Sequence, residues 1–276
     1  MTANDLRALE VVLRRDRVLV AVALSVIAAL SWLYLLWLAA DMEMGGVDMT
    51  GFRMIPAGLG LMMPATAPWT GVEFVWVIAM WAVMMFGMMM PSVAPMILIY
   101  ARVGRQAAAQ DKPFAATGWF AAGYLLVWTV FALAATSAQW ALERAAMLNS
   151  MMEGTSNLFG GIVLIAAGLY QWTPLKDACL SQCQSPLHFI QRRGGFRRDA
   201  AGSLALGARH GAYCVGCCWA LMALLFVGGV MNVLWIATLA ILVLAEKVVP
   251  TGRLISRISG AGFIAGGVWL LAAALR

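Results

Sequence analysis

The 23 residues from Val18 to Ala40 contain no charged side chain, and a stretch of that kind admits few folds. A helix of about 20 apolar residues crosses the roughly 30 Å hydrocarbon core of a bilayer. In hydrocarbon every backbone N–H and C=O must be satisfied by the chain itself, which leaves helices or closed barrels as spanning structures. Such runs recur, and seven spans are predicted near residues 18–40, 74–99, 118–141, 158–172, 204–228, 233–249 and 258–275, of which the fourth, sixth and seventh are short. With 63% hydrophobic and 12% charged residues over 276 positions, the chain has too little polar surface to cover a water-soluble globule. The expected fold is all-α: one integral membrane domain over residues 1–276, a polytopic helical bundle of about seven transmembrane helices in contact with the lipid bilayer.

Charge sets the expected orientation, because Lys and Arg are retained on the cytoplasmic side. With the N-terminus cytoplasmic and the C-terminus extracytoplasmic, sixteen Lys and Arg fall inside and only Arg53, Arg144 and Arg276 outside. The net charge of +6 then reports topology. No basic groove interleaved with aromatics is present, so no nucleic-acid partner is expected. The arginine-rich first seventeen residues also carry Asp5, Glu10 and Asp16 and lead into a long span without a small-residue cleavage site, which reads as a retained signal-anchor. Phe189 to Arg198, FIQRRGGFRR, is expected to lie against anionic headgroups. The glycines at 160, 161, 168, 228, 229, 260, 262, 266 and 267 are expected to let helices approach closely.

All five cysteines lie in two short motifs, CLSQC from Cys179 to Cys183 and HGAYCVGCCW from His210 to Trp219. The predicted topology puts the first in the basic loop before the fifth span and the second in that span's first turns, both on the cytoplasmic side. Thiols there are kept reduced, so metal binding or thiol redox chemistry is favoured over a structural disulfide. On a helix, His210, Cys214 and either Cys217 or Cys218 fall at i, i+4 and i+7 or i+8, one face presenting three donors. Cys179 and Cys183, four apart, would point the same way from a single turn. Two such pieces could close around one ion, and soft thiolates select Cu(I), Zn(II) or iron–sulfur chemistry over Mg or Ca. The paired spacing of a zinc finger is absent. The bland alternative is that cysteine serves as a small buried apolar residue. His188 is read as a loop residue.

The second span holds another concentration of sulfur, MWAVMMFGMMMP from Met80 to Pro91. Met80, Met84 and Met88 form an i, i+4, i+8 stripe with Met85 and Met89 beside it, and Pro91 is expected to kink the helix. Met42, Met44, Met49, Met54, Met62 and Met63 fall in the first outer loop and Met147, Met151 and Met152 in the second. A thioether is neutral and prefers Cu(I) or Ag(I) to hard ions; methionine is also an adaptable core filler. In the outer loop Asp41, Glu43 and Asp48 would raise the local concentration of a soft cation. Glu246 and Lys247 sit in an apolar segment where charge is expensive. Glu246 could balance Lys247, accept from His210 or support a ligand as its hydrogen-bond acceptor, and both could equally reach out to the interface.

No phosphate-binding loop, Ser/His/Asp arrangement, paired carboxylates or HExxH motif is present, so no catalytic residues are assigned and the chain is not expected to be an enzyme. Tyr170 to Pro186, YQWTPLKDACLSQCQSP, together with HGAYCVGCCW, Glu246-Lys247 and the MMMP of the second span, resembles the bacterial family of predicted metal-binding integral membrane proteins of unknown function. One member of that family is the membrane copper-delivery partner of a bacterial tyrosinase. The resemblance implies copper handling in a bacterial inner membrane, with Cys179, Cys183, His210, Cys214, Cys217 and Cys218 at the motif positions. The expected activity is binding of Cu(I), with zinc as the lesser alternative. It would be passed by thioether exchange to a cuproenzyme or another membrane or periplasmic protein. Two other classes stay open: a thiol oxidoreductase using Cys179/Cys183 and Cys214/Cys217, and a structural or assembly subunit of a larger complex. Whether the chain forms an oligomer stays open as well.

Overall fold

The computed structural model describes the backbone of residues 3–43, 52–57, 62–64, 66–108, 110–111, 115–149 and 152–276, and the side chains of these except 3–17, 42–43, 54 and 108. The chain is helical nearly throughout: α1 (Ala3–Glu43), α2 (Gly71–Ala108), α3 (Thr117–Arg144), α4 (Asn157–Tyr170), α5 (Pro174–Gln184), α6 (Pro186–Arg192), α7 (Ala200–Ala223), α8 (Leu225–Gly228), α9 (Val233–Val248) and α10 (Gly252–Ala274). Between α1 and α2 a short antiparallel hairpin, β1 (Phe52–Met54) and β2 (Met62–Pro64), pairs Met54 with Met62 and Arg53 with Met63. The hairpin was not visible in the hydropathy pattern. It is held by Arg53, whose guanidinium donates to both oxygens of Glu73 at 2.5 and 3.0 Å and to the Ala67 carbonyl at 2.8 Å. The carboxylate beside it raises the Arg53 pKa above the usual guanidinium value.

Five helices are long and apolar enough to cross a membrane, at Val18–Asp41, Gly71–Ala107, Thr117–Arg144, Ala200–Gly228 and Gly252–Ala274. A sixth is added if α4 and α5 count as one span broken by a 65° bend. Beside the seven segments expected from the sequence stand these five to six candidates; the sixth predicted segment, α9, has 16 residues, about 24 Å of helix against a hydrocarbon core of about 30 Å. The outer surface is apolar, with Leu30, Leu33, Val130, Ile241 and Trp269 each exposed, as a surface facing lipid would be.

Local chemistry explains the boundaries. Ser156, Thr173, Asp199 and Asn232 each cap the helix that follows, accepting from the backbone N–H three residues on. Pro174 occupies the first position of α5, where a missing N–H costs nothing. Pro91 does not end α2, which continues through Pro91 and Pro95 to Ala108. Ser92 there donates its hydroxyl back to the Met89 carbonyl at 2.8 Å.

Two close crossings build the bundle. A Cβ on Gly123 or Gly207 would collide with the backbone of Leu204 or Phe120, so α3 and α7 meet almost backbone to backbone. Gly161 and Gly168 of α4 meet Gly267 and Gly260 of α10 in the same way. The expected roles of those four glycines hold; Gly262 faces open space. The core between α2, α3, α7 and α9 is lined by Met80, Met84, Met85, Met88, Met89, Trp81, Tyr124, Trp128, Cys214 and Leu221, all fully buried.

Candidate metal centre

Helix α7 begins at Ala200, so Cys214 lies about 21 Å along it. The thiol motif therefore lies near the middle of this long apolar helix and not in its first turns, the position expected from the sequence. The bent pair α4–α5 reaches that depth. Tyr170, at the end of α4, donates its hydroxyl to the Gly216 carbonyl, and α5 then turns across the bundle with CLSQC on it. Cys179 packs on Gly216, where even an added Cβ would stand only 2.8 Å from its sulfur. One turn on, Cys183 Sγ lies 4.0 Å from Cys217 Sγ.

The α7 thiols crowd one carbonyl. Cys217 and Cys218 both direct their sulfur to the Cys214 carbonyl, at 3.1 and 2.9 Å. The Cys214 sulfur is 3.0 Å from the Tyr124 hydroxyl and accepts from Lys247 Nζ at 2.9 Å. Lys247 Nζ also lies 3.4 Å from Ser92 Oγ and 3.7 Å from Met89 Sδ. All five cysteines are free. His210, one turn before Cys214, sits among the rings of Phe120, Tyr124 and Phe189 at 6.1, 6.0 and 5.1 Å. Its Nδ1 is buried and has no hydrogen-bond partner among the described residues, and an orphaned buried nitrogen of this kind calls for an explanation.

Of the residues expected to form the site, Cys183, Cys214, Cys217, Cys218 and Met89 come together, with His210 one helical turn away. Met80, Met84, Met85 and Met88 are buried along the same helix and prolong the sulfur line away from Met89. Among the described residues, no three His, Cys, Asp or Glu side chains stand as a ready-made metal cage. The thiols converge without yet enclosing a point. Met44, Met49, Met151 and Asp48 lie outside the described residues, as do the side chains of Met42, Glu43 and Met54.

Glu246 is corrected. It pairs neither with Lys247 nor with His210: its carboxylate accepts from Lys176 Nζ at 2.7 Å and from Gln171 Nε2 at 2.8 Å. Gln171 Oε1 accepts from Lys176 in turn and from Ser256, and the Glu246 carbonyl accepts from Gln184 at the end of α5. Lys176, expected in a cytoplasmic loop, is wholly buried in this network. His188 is exposed on α6, not in a loop, and Phe189 of the expected headgroup segment is instead fully buried beneath His210. Tyr124 and Ser92, ordinary residues of apolar spans, carry no signal in the sequence. Lys247 was signalled as an intramembrane charge, but its sulfur partner was not.

A family model described as a copper chaperone, PpoB2, matches residues 78–270. The chain belongs to the PpoB2 copper chaperone family. The matched region runs from the methionine stripe of α2 through nearly all of α10 and so contains every thiol, Met89, His210, Lys176, Glu246 and Lys247. It leaves out α1 and the β1–β2 hairpin. No curated protein and no solved structure matches the chain. Membership in a copper chaperone family fits a non-catalytic role and a copper-using partner, and the sulfur-rich interior is the part of this chain suited to soft-metal chemistry.

Proposed function

We propose that this chain is a multi-pass protein of the bacterial inner membrane that holds Cu(I) as cargo on Cys183, Cys214, Cys217 and Cys218 and hands it on along Met89 and the α2 methionines to a cuproenzyme. The observation that carries this is the convergence of α5 and α7 thiols with Met89 inside the bundle. Two thiolates at metal–sulfur bonds of about 2.3 Å and an angle of about 120° stand about 4.0 Å apart, which is the Cys183–Cys217 separation. A third thiolate, or the Nδ1 of His210, would complete a trigonal set after a side-chain rotation. Cys179, tight against Gly216, fixes the approach of α5 more than it offers a ligand. The cytoplasmic N-terminus argued from the Lys and Arg distribution would put the entry of α7 inside and the Arg53–Glu73 hairpin, with its paired methionines, outside. Cargo would then be taken from the cytoplasmic face and released at the methionine-bearing outer loops.

The test is Cu(I) binding by the full chain purified in detergent, by competition with a chromophoric Cu(I) chelator, against a variant with all five cysteines changed to serine. The expected result is stoichiometric binding that the serine variant loses. Equal stoichiometry and affinity in the two proteins refutes the proposal.

A further inference from the structure

Lysine near a helix end in a membrane ordinarily extends outward, its stem in hydrocarbon and its ammonium in water. Lys247 has that option. It lies in the last turn of α9, and residues 248 to 251 that follow are exposed. It turns the other way, 6% exposed, and places its ammonium between Cys214 Sγ at 2.9 Å, Ser92 Oγ at 3.4 Å and Met89 Sδ at 3.7 Å. Among the described residues no carboxylate pairs with it; the neighbouring Glu246 is committed to Lys176. A buried ammonium must be paired or hydrogen-bonded, and here sulfur supplies most of that partnership. The cation stands where the cysteine cluster of α7 meets the methionine line of α2.

We infer that the Lys247 ammonium is the resident cation of a soft-metal subsite formed by Met89 and Cys214, which cargo enters by displacing it, and that this exchange selects monovalent over divalent ions. The inference rests on the copper reading above and specifies how its site is gated. Displaced, the lysine needs only to rotate toward the exposed end of α9. With Cys214 a thiolate beside the ammonium before the exchange and beside the metal after it, replacing one ammonium by one monovalent ion leaves the charge of the buried site unchanged. A divalent ion leaves one positive charge uncompensated among hydrocarbon walls, where isolated charge is heavily penalised. Lys247 is thus a specificity-determining residue, and Ser92, which touches the ammonium from a turn of α2 bearing Pro91, helps to hold it in the blocking position.

The experiment measures Ag(I) and Zn(II) affinities of the full chain in detergent for wild type, Lys247→Leu, Lys247→Arg and Lys247→Leu/Met89→Leu; leucine removes the ammonium without adding a metal ligand. If the ammonium fills the subsite nine-tenths of the time or more, its removal tightens Ag(I) binding at least about tenfold, because only the open fraction binds. Lys247→Leu is expected to show that gain and a larger one for Zn(II), because the displaced ammonium, still tethered at the end of α9, repels a divalent ion about twice as strongly as a monovalent one. Lys247→Arg, which keeps the charge, stays near wild type, and Met89→Leu cancels the gain. Lys247→Gln serves if Lys247→Leu loses its helix content or its single peak in gel filtration. Ag(I) binding in Lys247→Leu equal to or weaker than wild type overturns the inference. A wild-type chain that binds neither Ag(I) nor Cu(I) overturns the copper reading itself, so the two failures are distinct.

Discussion

Lys176→Met would break a buried ion pair whose surroundings fix the expected cost. Lys176 Nζ sits 2.7 Å from Glu246 Oε2, and the two residues are 0% and 1% exposed. With the ammonium gone, the carboxylate keeps one donor, Gln171 Nε2 at 2.8 Å, and Gln171 Oε1 keeps Ser256 at 3.2 Å. An uncompensated buried charge of this kind typically costs about 3–5 kcal/mol, whereas replacing both members by apolar residues of similar volume is often close to neutral. Three proteins separate the two effects: Lys176→Met, Glu246→Leu and the double variant. Unfolding in mixed detergent titrations, followed by tryptophan fluorescence, should place each single variant about 3 kcal/mol or more below wild type and the double variant well above their sum, a coupling of about 2–3 kcal/mol. The same proteins bear on copper, because the pair fastens α5 to α9 and α5 carries Cys183. The single variants should therefore lose Cu(I) affinity in proportion to lost stability, while the double variant recovers both. Single variants within about 0.5 kcal/mol of wild type, the range of an ordinary surface substitution, or strictly additive losses would show that the pair is solvated and the network is not a clasp.

Gly207→Ala should destabilise the protein by about 1–3 kcal/mol through overpacking, since the new methyl meets the Phe120 backbone. Gly262→Ala, in the interior of α10 with nothing within 4 Å, should not destabilise the protein and should add up to about 1 kcal/mol through helix propensity in the same thermal-shift assay. In a background with Cys179, Cys214 and Cys218 changed to serine, diamide should join Cys183 to Cys217, seen by peptide mass as the loss of two hydrogens. A background that instead keeps Cys179 with Cys217 should oxidise far more slowly, because Cys179 is wedged against Gly216; equal rates would contradict the placement of α5.

The parts legible in the sequence are those carried by pattern. Long apolar runs announce α1, α2, α3, α7 and α10, and helical spacing places His210, Cys214, Cys217 and Cys218 along one helix. The four-residue spacing of CLSQC correctly implies one helix bearing both thiols, though only Cys183 reaches Cys217. Other features depend on contacts between distant segments. The apolar run of α9 reads as a short span, and hydropathy does not show where its packing against α2 and α7 ends the helix, after 16 residues. The 65° break between α4 and α5 lies at Gln171 to Thr173, where Thr173 and Pro174 signal a helix start but not the angle. Most consequential is the adjacency of Glu246 and Lys247. Neighbours along a sequence look like a pair, yet consecutive helical residues are about 100° apart and do not face each other, so each finds a partner on a different element.

That divergence separates two buried lysines by task. Lys176 meets a carboxylate, an amide oxygen and a closed set of hydrogen bonds that also gathers Ser256 and Gln184. Nothing further is required of it, and displacing it would strand Glu246, so it belongs to the scaffold that carries α5 to the thiols. Lys247 meets sulfur and one hydroxyl at 3.4 Å, partners that bind an ammonium less well than oxygen does and a soft metal better than nitrogen cations. The same layer of the bundle thus contains one cation bound by hard ligands and one bound by soft ones. A hard cation resting on soft ligands is the one that a Cu(I) ion can replace, and the pairing alone distinguishes the gate from the clasp.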